Sequence, residues 1–411
     1  MASNHPRLRL ALPLTLTLGL AACSGSSSPG TRPVLGGPIE GLTAAERSAF
    51  ERGKLVFQRR FTPEDGLGPR YNATSCESCH SVPVVGGSAP LYRNFYIGMA
   101  GLPGRQTPLP GFQSAVVQAF GADANDFSTE IGRRVIPEGT SQPLMIAQRN
   151  SLPLFGVGLF ESISDATLLA HCDPNDEDGD GISGRFNTDA GSLGRFGVKS
   201  QSNNIEVFTR APLQNQLGIT SDPFEGGGAV VGLSHLFVQV SGDPDQPTVD
   251  LDSHPDPEIA REDLGDLIAF TRFLAPPAPL EPFSPAAARG ERVFTRIGCV
   301  ACHVPALAST RGPVRAYSDL LLHDLGPELA DGLGFGLPQA STLSPLTSGG
   351  EFRTQPLWGV SLSGPFLHDG RAETLREALE WHGGEAAAVR AEFRSLDPAE
   401  QSDLIAFLEH L

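Results

Sequence analysis

The chain has 411 residues, 40% of them hydrophobic and 7% aromatic, with 47 acidic against 30 basic side chains and a formal net charge of -17. That length supplies two globular units with cores of their own, so the fold needs no disulfide support. The acidic balance excludes a nucleic-acid binder, whose ligand demands a basic face, and favours basic protein partners.

In chain order, Arg7 and Arg9 precede an apolar run from Leu10 to Ala22, too short for a membrane span, that ends in Leu20-Ala21-Ala22-Cys23. Residues 1–22 therefore read as a cleaved export signal. Residues 23–42, with Ser24 to Gly30 and Gly36-Gly37-Pro38, read as a flexible tether. Apolar residues at three- and four-residue spacing predict a helix from Thr43 to Arg60 and another from Asp263 to Leu274, the opening and closing helices of a first unit spanning 43–274. Between them, the Gly-, Asn- and Ser-rich stretch from Val85 to Asp252 predicts loops with a few short strands such as Ala229 to Val240. Pro276, Pro277, Pro279, Pro282 and Pro285 forbid a helix, so 275–286 is a stiff linker and the domain boundary. The second unit, 287–411, ends in a helix opened by Asp397-Pro398-Ala399-Glu400, where Asp397 caps, Pro398 suits the first turn and Glu400 reaches back. The expected fold class is mainly α: two domains related by internal duplication, the first enlarged by loops and short strands.

The duplication and the haems rest on two pentads, Cys76-Glu77-Ser78-Cys79-His80 and Cys299-Val300-Ala301-Cys302-His303. In C-x-x-C-H the two thiols add across the vinyl groups of a haem and the His supplies an imidazole nitrogen to the iron. A zinc or disulfide Cys-x-x-Cys followed by an incidental His is the competing reading. Against it stands an ordered repeat. Arg52-Gly53 and Arg289-Gly290 precede the pentads; Arg149 leads into Pro153-Leu154-Phe155-Gly156-Val157 as Arg353 leads into Pro356-Leu357-Trp358-Gly359-Val360; both halves close on Asp-Leu-Ile-Ala-Phe, at Asp266 and at Asp403. Two covalent c-type haems are thus expected, one in each of two cytochrome c-like haem domains related by internal duplication.

The sixth ligand decides which iron is open to substrate. Methionine is nearly excluded, since only Met1, Met99 and Met145 exist and none lies in the second unit. His382 is the candidate at the second haem: Thr374-Leu375-Arg376-Glu377 forms a capping box, and the helix it opens ends at Trp381-His382 before Gly383-Gly384. A solvated His at a helix C-terminus is the alternative. For the first haem Tyr92, Tyr96, Met99, Met145 and His171 are conceivable, and none falls in a convincing spacing. Glu161 is the candidate acid for moving a proton to a departing oxygen, against a plain solvated Glu; His171 is a second candidate for that pocket. Asp176, Asp178 and Asp180, with Gly181 next, have the spacing of a calcium loop, weakened by Asn187 at the twelfth position, against a merely solvated acidic turn. Cys172 is left over, either core filler or a reactive thiol.

Two resemblances sharpen these readings. The segment ending in Cys23 is similar to a bacterial lipoprotein signal, which implies acylated Cys23, a membrane held through a lipid anchor and a location on the periplasmic side; Ser24 implies the outer membrane. An ordinary secretory signal with an incidental Cys23 is the alternative. Gly364-Pro365-Phe366-Leu367-His368-Asp369-Gly370-Arg371-Ala372 resembles the second haem domain of bacterial di-haem cytochrome c peroxidases and the related methylamine-utilisation enzyme. Tyr317 to Gly326, Trp381 to Ala386 and Asp176 to Arg185 are similar to phrases of their relatives, the di-haem oxidoreductases, also called thiol oxidoreductases. In the peroxidases the residue fourteen positions beyond the His of the H-D-G phrase is a Met ligand; here it is His382. The resemblance places His368 near the haem edge without ligating it. His323 reads as structural, and Trp358 either assists electron passage or is a core aromatic. The W-D-G-R-A phrase of peroxidase first domains is replaced by Phe160-Glu161-Ser162-Ile163-Ser164-Asp165, so no carboxylate carries over. The implied activity is peroxidase-like: an electron-donor cytochrome or other small redox protein feeds the second haem, and an open first haem reduces a small oxidant such as hydrogen peroxide. A non-catalytic di-haem relay, or oxidation of a partner protein, are the alternatives.

Overall fold

The Thr43 hydroxyl accepts from the Glu46 backbone N–H at 3.2 Å and the Glu46 carboxylate accepts from the Thr43 N–H at 2.8 Å, a box that starts α1, Ala44–Gln58. The computed structural model describes residues 34–101, 106–108, 115–121, 143–189, 191–221, 254–255, 257–280, 282–336, 339–342 and 349–411. The export signal with Cys23 and the strand expected over Ala229–Val240 lie outside them. The later helices are α2 (Asp165–Leu169), α3 (Ile205–Pro212), α4 (Arg261–Phe273), α5 (Pro285–Arg296), α6 (Leu375–Trp381), α7 (Ala387–Ser395) and α8 (Pro398–Leu408).

The repeated lettering builds one crossing twice. α1 packs on α4 because Gly53 brings its backbone against the Asp266 carbonyl, where a Cβ would lie 1.8 Å from that oxygen; α5 packs on α8 at Gly290, where the distance to the Asp403 oxygen would be 1.9 Å. Arg52 grips Asp266 through two bonds of 2.6 and 2.7 Å, and Arg289 grips Asp403 at the same two distances. Phe57 meets Phe270 at 4.8 Å, and Phe294 meets Phe407 at 5.2 Å. These buried rings anchor the two helical cores.

The stretch expected to be mostly loop carries a real sheet: Phe95–Ala100 pairs antiparallel with Leu144–Arg149 over six residues, from Phe95 opposite Arg149 to Ala100 opposite Leu144. Further on, Leu322–Asp324 pairs antiparallel with Glu351–Arg353. Ser284 caps α5 and Pro285, the last of the prolines, takes its first turn, so the helix begins inside the expected linker, where proline's missing N–H costs nothing. Asp397 caps α8, while Glu400, expected to reach back to the cap, turns instead to Arg296 at 2.7 Å. The proline run does not divide two separate bodies, since all described residues belong to one compact unit. The halves interlock through buried ion pairs, Arg149 with Asp331 and Arg185 with Glu351, whose side chains are only 2–3% exposed. Lys199, equally buried, sits 3.4 Å from Asp331 and donates to the Glu351 carbonyl at 2.8 Å. Separating the halves would strand these charges, at several kcal/mol apiece.

Candidate functional site

Each pentad presents its histidine in the same way. His80 Nδ1 bonds the Gly87 carbonyl at 3.0 Å, and His303 Nδ1 bonds the Tyr317 carbonyl at 2.8 Å. A carbonyl can only accept, so Nδ1 carries the proton and Nε2 keeps a free lone pair, the form a metal ligand needs. Burial lowers the pKa of His80, and takes that of His303 down to about 4. Phe57 lies 6.1 Å from His80 and Phe294 6.3 Å from His303, so the opening helices set both rings. The four pentad thiols are unbridged, and burial pushes Cys76 and Cys299 up to about 12. Among the described residues the pentad side chains join no cluster of ligand atoms with metal spacing.

A cavity of about 250 Å³ opens beside each pentad. The second is walled by His303 and by His382, the residue that caps α6. His382 Nδ1 bonds the Ala378 carbonyl at 2.7 Å, so it too offers a free Nε2, and burial lowers its pKa. The two imidazoles are close enough for a charge on His382 to depress His303. His323 lines the same cavity with both nitrogens engaged, 2.8 Å from Asp319 and 2.8 Å from Glu385, so no lone pair is left for iron. Burial opposes its charge, yet Asp319 leads the groups that outweigh it and hold the ring's pKa well above 6.5. His368 stacks on Phe352 at 4.1 Å, and burial, reinforced by Arg149, takes it down to about 3. Trp358 lines this cavity and stacks on Phe160 at 5.8 Å.

The first cavity differs. Among the described residues His80 is its only histidine, and no methionine, tyrosine or lysine lines it; Tyr92, Tyr96, Met99, Met145 and His171 all lie outside its walls. Its polar lining includes Arg149, Gln201 and Asn215, the last 6% exposed with its Oδ1 lacking a partner, in a π-helical turn over Leu213–Leu217. Glu161 does not reach this cavity. Its carboxylate accepts from Arg272 at 2.7 Å and from the Ile205 backbone N–H at 3.0 Å, tying α4 to the start of α3. Both oxygens are committed, so the expected proton-carrying role is corrected to an architectural one.

The acidic loop also departs from expectation. The carboxylates that converge, within 4.8 Å of one another, belong to Asp173, Asp176 and Asp178. Asp180 is not among them, because its carboxylate accepts from the Ile182 N–H at 2.8 Å. Asn187, at the twelfth position, is fully buried and donates its amide to the Lys199 and Phe335 carbonyls, so it cannot close the loop. Beyond the loop, Ser183 donates to Glu385 through its backbone at 3.0 Å and its hydroxyl at 2.7 Å. Glu385, Asp319 and Arg353 were not singled out from the sequence as site residues. Each had a signal: Asp319 and Glu385 lie in the phrases Tyr317 to Gly326 and Trp381 to Ala386, and Arg353 is the counterpart of Arg149 in the repeat.

The family model described as "Di-haem oxidoreductase, putative peroxidase" matches residues 112–411. The methylamine utilization protein MauG of Methylophilus methylotrophus is 30% identical over 193 residues, 44% of this chain and 52% of its own length. That of Methylorubrum extorquens is 30% identical over 131 residues, 30% of this chain and 34% of its own. The chain thus spans about half the length of the first relative and a third of the second. Among solved structures, the diheme peroxidase BthA from Burkholderia thailandensis matches at 16% identity over 89% of this chain and 86% of its own, with a TM-score of 0.41. Hydrazine synthase of Kuenenia stuttgartiensis matches at 15% identity over 99% and 100%, with a TM-score of 0.38.

Proposed function

Since the chain belongs to the di-haem oxidoreductase family, we propose that it is a periplasmic peroxidase-like enzyme with two covalent haems, one at Cys76, Cys79 and His80 and one at Cys299, Cys302 and His303. When bound, the haems supply the redox chemistry: electrons from a small donor protein are taken up at the second, and a small oxidant such as hydrogen peroxide is reduced at the first. The observation that carries this reading is the asymmetry of the two cavities. His303 and His382 both wall the second, each with Nε2 free, whereas among the described residues His80 alone offers an iron ligand in the first.

The chain's own residues do the rest. The Gly87, Tyr317 and Ala378 carbonyls hold the three imidazoles in the ligating tautomer. The walls of both sites are mostly apolar, and Arg149, Gln201 and Asn215 are among the polar groups placed to orient a small molecule in the first. Export and acylation at Cys23 put the chain on the periplasmic side of a bacterial outer membrane, a reading supported by the run Leu10–Ala22 and by Cys23 itself. An unmodified Cys23 in mass spectra of the membrane fraction removes the anchor.

The deciding experiment mixes reduced protein with hydrogen peroxide while the haem bands are monitored. One high-spin haem that is oxidised rapidly supports the enzyme; two unreactive low-spin haems leave only the relay.

A further inference from the structure

Six basic side chains are buried among the described residues: Arg149, Arg185, Arg195, Lys199, Arg210 and Arg353. Five face a carboxylate, Arg149 and Lys199 that of Asp331, Arg185 that of Glu351, Arg195 that of Asp165 and Arg210 that of Glu206. Arg353 faces none among the described residues. It is 6% exposed; Nη1 donates to the Arg195 carbonyl at 2.7 Å, Nη2 donates to the Gln355 side-chain oxygen at 2.6 Å, and Nε has no partner. Both partners are neutral, so the cation is buried without a counter-charge. Burial alone drives its pKa down to about 10, with no acidic group pulling the other way. A buried charge of this kind is retained only where something anionic completes it.

Its position says what that anion is. Arg353 ends the strand Glu351–Arg353, its backbone N–H fixed on the Val198 carbonyl at 2.8 Å, and with Leu152 and Pro153 it forms wall common to both cavities. We propose that Arg353 receives a haem propionate carboxylate where the two cavities meet, and so biases the redox balance between the haems. This rests on the two-haem reading above. A guanidinium offers a planar fork suited to a carboxylate, and a cation held there favours the reduced, less positive haem. The repeat sharpens the contrast: Arg149 has its acid built in as Asp331, whereas Arg353 takes its acid from the cofactor.

The test uses the matured, haem-loaded protein. A pyridine haemochrome assay first counts haems; fewer than two in the wild type sinks the two-haem reading, a failure distinct from one confined to Arg353. With two present, spectroelectrochemical titration of Arg353→Met is expected to lower the midpoint of at least one haem by about a tenfold shift in its reduction equilibrium, about 59 mV for one electron. The haem that moves identifies the propionate's owner. Arg353→Lys guards against a Met variant that does not fold: it keeps the charge but loses the fork, so the propionate-bending band in resonance Raman spectra should shift while the haem count stays at two. An unmoved band in Arg353→Lys, or unmoved midpoints in a folded Arg353→Met, overturns the proposal.

Discussion

Replacing Gly53 by Ala sets two opposed effects against each other at the α1–α4 crossing. Alanine is the better helix former by about 1 kcal/mol, so propensity alone predicts stabilisation. The added methyl, however, would sit 1.8 Å from the Asp266 carbonyl oxygen, and the obstacle is backbone, not a side chain that could swing aside. To restore an ordinary contact the helices must part by roughly 1.5 Å, a gap that forfeits more than half of the local dispersion attraction. Phe50, Phe57 and Phe270, all at or below 2% exposure, meet across that seam. Overpacking of this kind costs about 1–3 kcal/mol, and the loosened rings add to it, so Gly53→Ala should lose about 2–4 kcal/mol net. Gly265 is the internal control. It lies exposed in α4 with nothing within 4 Å of its would-be Cβ, so Gly265→Ala should gain about 0.5–1 kcal/mol. Thermal unfolding monitored by far-ultraviolet circular dichroism, on samples matched for haem content, reads both. If Gly53→Ala proves as stable as Gly265→Ala, the close crossing is wrong; Gly290→Ala at the α5–α8 crossing should repeat the loss.

Four further outcomes are expected. His382→Ala should turn the second haem from low-spin to high-spin in electron paramagnetic resonance, and His382→Met should raise its potential; an unchanged spectrum of the Ala variant refutes ligation. His323 holds its proton above the ordinary 6.5, so its contribution to stability is complete below about pH 6.5 and fades as pH rises through the folded-state value. Urea unfolding between about pH 6 and about pH 9 should show that alkaline decline in the wild type and less of it in His323→Gln, and parallel profiles would contradict the assignment. Arg185→Met removes the guanidinium from the buried Glu351 carboxylate and should cost about 3–5 kcal/mol, most of it recovered when Glu351→Leu is added; equal losses in single and double variants speak against the pair. Calorimetric titration of metal-stripped protein should show calcium uptake at Asp173, Asp176 and Asp178 that Asp176→Asn abolishes, and a wild type without heat ends that reading.

Much of this molecule is written locally. The capping boxes at Thr43 and Thr374 act over three residues, so the starts of α1 and α6 are legible from lettering alone. The paired Arg-Gly and Asp-Leu-Ile-Ala-Phe phrases foretell which helices open and close each half. Strands are harder: Phe95–Ala100 finds its partner at Leu144–Arg149, some fifty residues on, and no local periodicity announces such a pairing.

The order of residues alone yields the two C-x-x-C-H sites, the helices around them and the scarcity of methionine that points to His382. Which side chains converge is a matter of packing. The folded chain seats His382 in one cavity with His303, turns Glu161 onto Arg272 and Ile205, brings Asp173 to Asp176 and Asp178, and, among the described residues, sets no acid against Arg353 between the cavities. The division has one physical cause: caps are satisfied within a turn of chain, whereas the state of a buried charge or ligand depends on groups that packing gathers from distant segments.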